Sequence, residues 1–110
     1  MTTKRILWFS RHEPQQKQVE DLHEIFGDIE IIQESKSVSS AKEVVEIMKL
    51  HGCDEVVAVL PMHLYAELLS FGIKPLKAIM KRIIKENDSV EFIHDHFERI
   101  LKVEVMTERL

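Results

Sequence analysis

A chain of 110 residues, 45% hydrophobic and 31% charged, is long enough to bury one core without staples, and 3 glycines and 3 prolines exclude a linker or low-complexity tract. The formal charge of -4 excludes a broad basic surface for duplex DNA or RNA, while leaving room for a local pocket that takes a small anion. The single Cys53 excludes an internal disulfide and fits a reducing compartment, and the apolar run Ile6 to Phe9 is too short for a signal peptide or a membrane span. A single cytoplasmic domain over residues 1–110 is expected, with no membrane contact.

In chain order, Lys4 to Ser10 reads as a strand with apolar residues on both faces, the pattern of a central position covered on both sides. Pro14 opens a helix whose Val19, Leu22, Ile25 and Phe26 share one face, and Gly27 stops it. Ile29 to Gln33 is a second strand. Ser40-Ala41-Lys42-Glu43 then matches a capping box, and Ala41, Val44, Val45 and Met48 form the buried stripe of a second helix that ends near His51-Gly52. Glu55 to Leu60 is apolar enough for a third, central strand, with Pro61 as the first residue of a third helix that ends at Gly72. The alternation places a fourth strand near Leu76 to Met80. Val90 to His94 and Lys102 to Thr107 alternate as strands joined through Asp95 to Arg99, which predicts a terminal antiparallel hairpin. The expected fold is a small Rossmann-like α/β three-layer sandwich: a mainly parallel sheet of four strands plus a C-terminal β-hairpin.

Right-handed crossovers bring the carboxyl ends of the first three strands to one edge, so three loops converge there. They carry Ser10-Arg11-His12-Glu13, then Ser35-Lys36-Ser37-Val38-Ser39-Ser40, then Leu60-Pro61-Met62-His63. Each feeds a helix N-terminus, whose free N–H groups and positive dipole end attract anions. Arg11 beside His12 suits a phosphate or carboxylate. The glycine-rich dinucleotide fingerprint and the phosphate loop are both absent, so neither hydride transfer nor nucleoside triphosphate hydrolysis is supported, and no cofactor is expected.

Arg11-His12 after the first strand, followed by Val59-Leu60-Pro61-Met62-His63-Leu64-Tyr65-Ala66-Glu67-Leu68 and then Gly72, resembles a family of very small CRISPR-associated proteins with an Arg-His loop and a Leu-Pro-x-x-Leu-x-Ala-Glu segment. Members look like compact relatives of the Rossmann-like domains that sense cyclic oligoadenylates, and the family is linked to degrading those rings. The chain is also similar to uncharacterised small proteins of bacterial and phage mobile elements. The resemblance covers about the first two thirds, departs where the family follows Arg-His with Pro-Gly and this chain has Glu13-Pro14, and offers no counterpart to the terminal hairpin. It implies a cyclic oligoadenylate ligand in antiviral signalling, a homodimer matching the ring's symmetry, and metal-independent cleavage by 2′-hydroxyl attack. In that reading Arg11 stabilises charge, His12 or His63 moves the proton, Lys36 holds a second phosphate, and Ser37, Ser39 and Ser40 orient riboses, with Ser10, Pro61 and Met62 lining the site.

A second reading stays open: a non-enzymatic binding or assembly module that sequesters a nucleotide or a protein, its loops only capping helices. Ser39 and Ser40 are well explained by capping alone, and Pro61 as a helix start. His94-Asp95-His96 would put two imidazoles on one strand face, a weak metal signal without a third ligand. Cys53 reads as a small buried residue, and Glu67 as an ordinary exposed helical one.

Overall fold

The computed structural model describes residues 3–104 and 107–110. Eight elements follow in order: β1 (Lys4–Phe9), α1 (Gln16–Phe26), β2 (Ile29–Glu34), α2 (Ala41–His51), β3 (Glu55–Ala58), α3 (Met62–Ser70), β4 (Leu76–Ile84) and β5 (Val90–Arg99). They build a five-stranded sheet in the order β2-β1-β3-β4-β5. The β1–β2, β1–β3 and β3–β4 pairs are parallel and β4–β5 is antiparallel.

The alternation of side chains along β1 and β3 divides the core in two. Leu7, Val56 and Ala58 pack with Ala41, Val44 and Met48 of α2 and Leu68 of α3. Ile6, Trp8 and Val57 point the other way, onto Leu22 of α1 and Leu76. Helices therefore cover both faces, which is why β1 reads as a continuous apolar run. β2 lies on one side of β1 while β3 and β4 lie on the other, and right-handed crossovers then require α1 on one face and α2 and α3 on the opposite one.

The ends of α2 follow the expected chemistry. Ser40 is the N-cap, its Oγ accepting from Glu43 N at 3.4 Å. The Glu43 carboxylate reaches back one residue further than a standard box, to Ser39 N at 3.1 Å. Gly52 closes the helix in the left-handed region at φ 63, where its missing Cβ matters, and Cys53 N returns to Met48 O at 2.8 Å.

Four expectations shift. Pro61 is the N-cap of α3, not its first residue, and α1 starts at Gln16 with Gln15 N donating to Gln18 Oε1 at 2.7 Å, two residues beyond Pro14. β3 ends at Ala58, leaving Val59 70% exposed in a loop. The antiparallel hairpin is not the expected pairing of Val90–His94 with Lys102–Thr107: β4 runs on to Ile84 and turns through Lys85 to Ser89 into β5, which makes five strands in place of four plus a separate hairpin. Asp88 takes the left-handed φ of 63 in that turn, and Asn87 Oδ1 accepts from Ser89 N. The expected turn at Asp95 to Arg99 is the second half of β5, where the register slips between Ile79 and Met80 and leaves Asp95 as the extra, bulged residue. Residues 101–104 carry no regular structure, and Val105 and Met106 of the expected last strand lie outside the described residues.

Leu68 is fully buried between α3 and the sheet, whereas Leu50 on α2 is 79% exposed. Leu68→Ala is expected to cost about 2–5 kcal/mol in denaturant unfolding, and Leu50→Ala to stay within about 0.5 kcal/mol.

Candidate functional site

The strand order places a topological switch point between β1 and β3, whose following loops run to α1 on one face and to α3 on the other. Two clefts flank it. The first, about 480 Å³, opens on the α2/α3 side and is lined by residues of all three loops, Ser10 and Arg11 after β1, Ser35 to Ser39 after β2, and Val59, Leu60 and Pro61 after β3, together with His63 in the first turn of α3. The second, about 440 Å³, opens on the α1 side between Trp8, His12, Glu13, Gln15, Gln18 and Met80. Both fall in the roughly 300–1,000 Å³ range of small-molecule sites. Phe9, Ser10 and Val59 form the saddle between them.

Of the residues singled out in the sequence, Ser10, Arg11, Lys36, Ser37, Ser39, Pro61 and His63 meet at the first cleft. His12 does not join them. Its N–H donates to Ser10 Oγ at 3.1 Å and its carbonyl accepts from Trp8 Nε1 at 2.9 Å, a tight turn that leaves His12 lining the second cleft. Ser40 is occupied as the α2 N-cap and Met62, 63% exposed, stands outside both linings.

The α2 N-terminus is not the open anion cradle that its sequence suggests. Ala41 N donates to Glu67 Oε2 at 3.1 Å, and Glu43 takes both the N–H and the hydroxyl of Ser39. A third carboxylate, Glu34, lines the cleft and accepts from Lys36 N at 3.0 Å. At this helix end Glu67 takes Ala41 N and Ser40 Oγ takes Glu43 N, while Glu43 holds Ser39 just outside the helix, and the positive character of the cleft rests on Arg11 and Lys36. Glu67 was legible only as an exposed residue on α3, because nothing in its local sequence marks a contact 26 positions away.

Tyr65 is the other residue that spacing along the chain did not reveal. Buried on α3, its hydroxyl donates to Ala58 O at 2.7 Å and accepts from Leu60 N at 3.1 Å. That bridge replaces the strand pairing lost where β3 ends early and fixes the loop that carries Pro61 and His63. Burial raises the Tyr65 pKa above the ordinary phenol value, with the Leu60 N–H opposing it.

Elsewhere, the bulge at Asp95 separates the two histidines expected to share a face. His94 turns inward, with Nε2 3.0 Å from Asp21 Oδ2 and its ring 4.6 Å from that of Phe97. His96 turns out, between Glu98 Oε2 at 2.8 Å and Asp95 Oδ2 at 3.1 Å. Among the described residues no cluster of three His, Cys, Asp or Glu side chains is placed to hold a metal. Cys53 is half-buried and burial pushes its thiol up, against the pull of Arg5, so the thiolate that nucleophilic chemistry requires is disfavoured.

No family model, curated protein or solved structure matches this chain. No helix among the described residues is long and apolar enough to cross a membrane.

Tyr65→Phe is expected to lower stability by about 1 kcal/mol, by leaving Leu60 N without its acceptor, and to move the amide resonances of Leu60 and His63 while those of α1 stay in place. In the parent protein the phenol should titrate above 10.0, and because its folded value is raised, the stability linked to it is present below that pH and fades as pH rises through the folded value. Hydrogen bonds to Glu98 and then Asp95 raise the His96 pKa above 6.5, so its stabilising contribution is complete below 6.5 and is lost as pH climbs through the raised value. Proton NMR should place that midpoint above 6.5, and Glu98→Gln should bring it down. Asp95 moves the opposite way: its pKa is lowered from 3.8 chiefly by His96, and its contribution is present above 3.8 and lost on further acidification.

Proposed function

We propose that the protein binds a small phosphate-bearing nucleotide ligand in the first cleft, and that a cyclic oligoadenylate is that ligand. The observation that carries the reading is the convergence of Arg11, Lys36 and Ser37, from two loops, and His63, from the first turn of α3, around one open cleft of about 480 Å³ at the switch point of a mainly parallel sheet. A guanidinium and an ammonium there provide the charge for two phosphodiester groups, and the Ser37 hydroxyl can bond a ribose. The finer description of the fold as Rossmann-like, and the family resemblance of the Arg-His and Leu-Pro segments, belong to the same proposal. So does pairing of two chains, since a symmetric ring is held best by two copies of one site.

Cleavage is the stronger form of the reading. The ribose 2′-oxygen forms a bond to the neighbouring phosphorus, the bond from phosphorus to the 5′-oxygen breaks, and a 2′,3′-cyclic phosphate and a 5′-hydroxyl result. His63 accepts the 2′-proton and returns it to the departing 5′-oxygen, while Arg11 faces the charge that develops on phosphorus. His12, on the far side of the saddle, is left out of this step.

A second reading is favoured by the carboxylates of Glu67 and Glu43 on the α2 N-terminus. With Ala41 N and Ser39 N already bonded to carboxylates, the serine loop is explained as a helix cap, and the protein is then a non-enzymatic assembly module.

Calorimetric titration with cyclic tri-, tetra- and hexa-adenylate separates the readings. Saturable binding to one ring, weakened about tenfold or more by Arg11→Ala and by Lys36→Ala, is the expected result, each variant losing a charge-assisted contact. Linear products in the same mixtures, lost in His63→Ala, would assign cleavage; binding without products would assign sequestration. An absence of heat with all three rings sinks the nucleotide reading and leaves the assembly module.

A further inference from the structure

The second cleft differs from the first in chemistry although they share the Phe9, Ser10 and Val59 saddle. Among the described residues no lysine or arginine lines it, and its one carboxylate, Glu13, would repel a phosphate. Its walls are Trp8, Val57, Ala58, Ala78 and Met80. Gln18 stands among them, only 5% exposed and one of the two buried polar side chains among the described residues. Its Oε1 is taken by Gln15 N, but its Nε2 has only the Met80 sulfur, at 3.6 Å. An amide donor held against a thioether is weakly satisfied, and a better acceptor entering the cleft would be preferred.

We infer that the second cleft is a subsite for a flat heteroaromatic ring, a nucleobase, belonging to the same ligand whose phosphate lies in the first cleft. Apolar walls take the faces of the ring, Gln18 donates to a ring nitrogen or carbonyl, and Glu13 at the mouth accepts from an exocyclic amine. The ribose crosses the saddle at Ser10. Gln15 holds the far wall: its Oε1 accepts from His94 N at 3.3 Å and its Nε2 donates to Phe92 O at 3.4 Å, so α1 and β5 keep a fixed separation. This inference rests on the phosphate reading of the first cleft and names the group that the phosphate carries.

The test compares adenosine 5′-monophosphate with ribose 5-phosphate, by calorimetry and by the emission of Trp8, the chain's single tryptophan and a wall of the second cleft. The monophosphate is expected to bind about tenfold or more tightly and to change the Trp8 emission, while ribose 5-phosphate binds weakly and leaves the emission unchanged. Ala78→Phe, which fills the second cleft from β4, should bring the monophosphate down to the ribose 5-phosphate level without altering the latter. Equal binding of the two probes with Trp8 silent overturns the base subsite and leaves the phosphate reading standing. Failure of both probes to saturate overturns the phosphate reading together with the inference built on it. The emission comparison uses the unaltered protein, so the test decides even where Ala78→Phe does not fold.

Discussion

β1 has no side that faces water over its central residues: Ile6 and Leu7 are fully buried and Trp8 is 5% exposed. It pairs with β2 through all six of its residues and with β3 through four, so both its backbone edges and both its faces are committed. Every other element is placed relative to it. Because the chain leaves β1 toward β2 and later returns past it to β3, the handedness of the crossovers puts α1 on one face and α2 and α3 on the other. The loop after β1 is therefore the ridge between two helical layers, and residues on its successive positions drop to opposite sides. Arg11 goes to the α2/α3 side and His12 to the α1 side. Two adjacent residues that look like one catalytic pair in the sequence serve two different cavities, and the Trp8–His12 hydrogen bond fixes that divergence.

The first cleft is a balance of charges more than a bare positive pocket. Arg11 and Lys36 face it, Glu34 lines it, and Glu67 and Glu43 sit at the helix end behind the serine loop. Carboxylates at a helix N-terminus stabilise that helix, and Glu67 occupies Ala41 N, one of its first-turn donors. The arrangement ties down the polar loop between β2 and α2 and leaves Arg11 and Lys36 as the long cations that line the cleft. Tyr65 adds rigidity on the opposite wall by tying Leu60 to the end of β3.

Much of this was legible in the chain. The first three strand–helix units, the Ser40 cap and the convergence of three loops follow from local rules of periodicity and capping, which act within about ten residues. The misplaced hairpin shows where those rules stop. Val90 to Arg99 contains an apolar and polar alternation interrupted at Asp95, a residue type common in turns, and a local reading breaks the strand there. The Asn87-Asp88-Ser89 run was the better turn signal, since it supplies the left-handed residue the connection uses. The length of β4 was hidden for a different reason: Lys81 to Ile84 are exposed, so no burial pattern marks them, and they are strand only because β5 pairs with them. Glu67, Tyr65 and Gln18 each act through contacts that the fold creates, and residue type alone does not announce such roles.

The bulge ties the hairpin to the second cleft. Without the extra residue at Asp95, the alternation of β5 would keep His94 and His96 on one face; with it, His94 and Phe97 both turn toward α1. Phe97 meets Trp8 edge to face at 6.3 Å, and His94 reaches Asp21 of α1 while its Nδ1 has no partner. His94 and Gln18 are the buried polar side chains among the described residues, and both lie at the seam between α1 and the β4–β5 pair. An apolar seam would pack more tightly but would allow α1 to slide, since apolar contacts carry little direction. Polar contacts at that seam hold α1 in one register, at the cost of one unsatisfied nitrogen and one donor resting on sulfur. The wall of the second cleft is thus positioned by Gln18 and His94, two polar side chains buried at the seam between α1 and the β4–β5 pair.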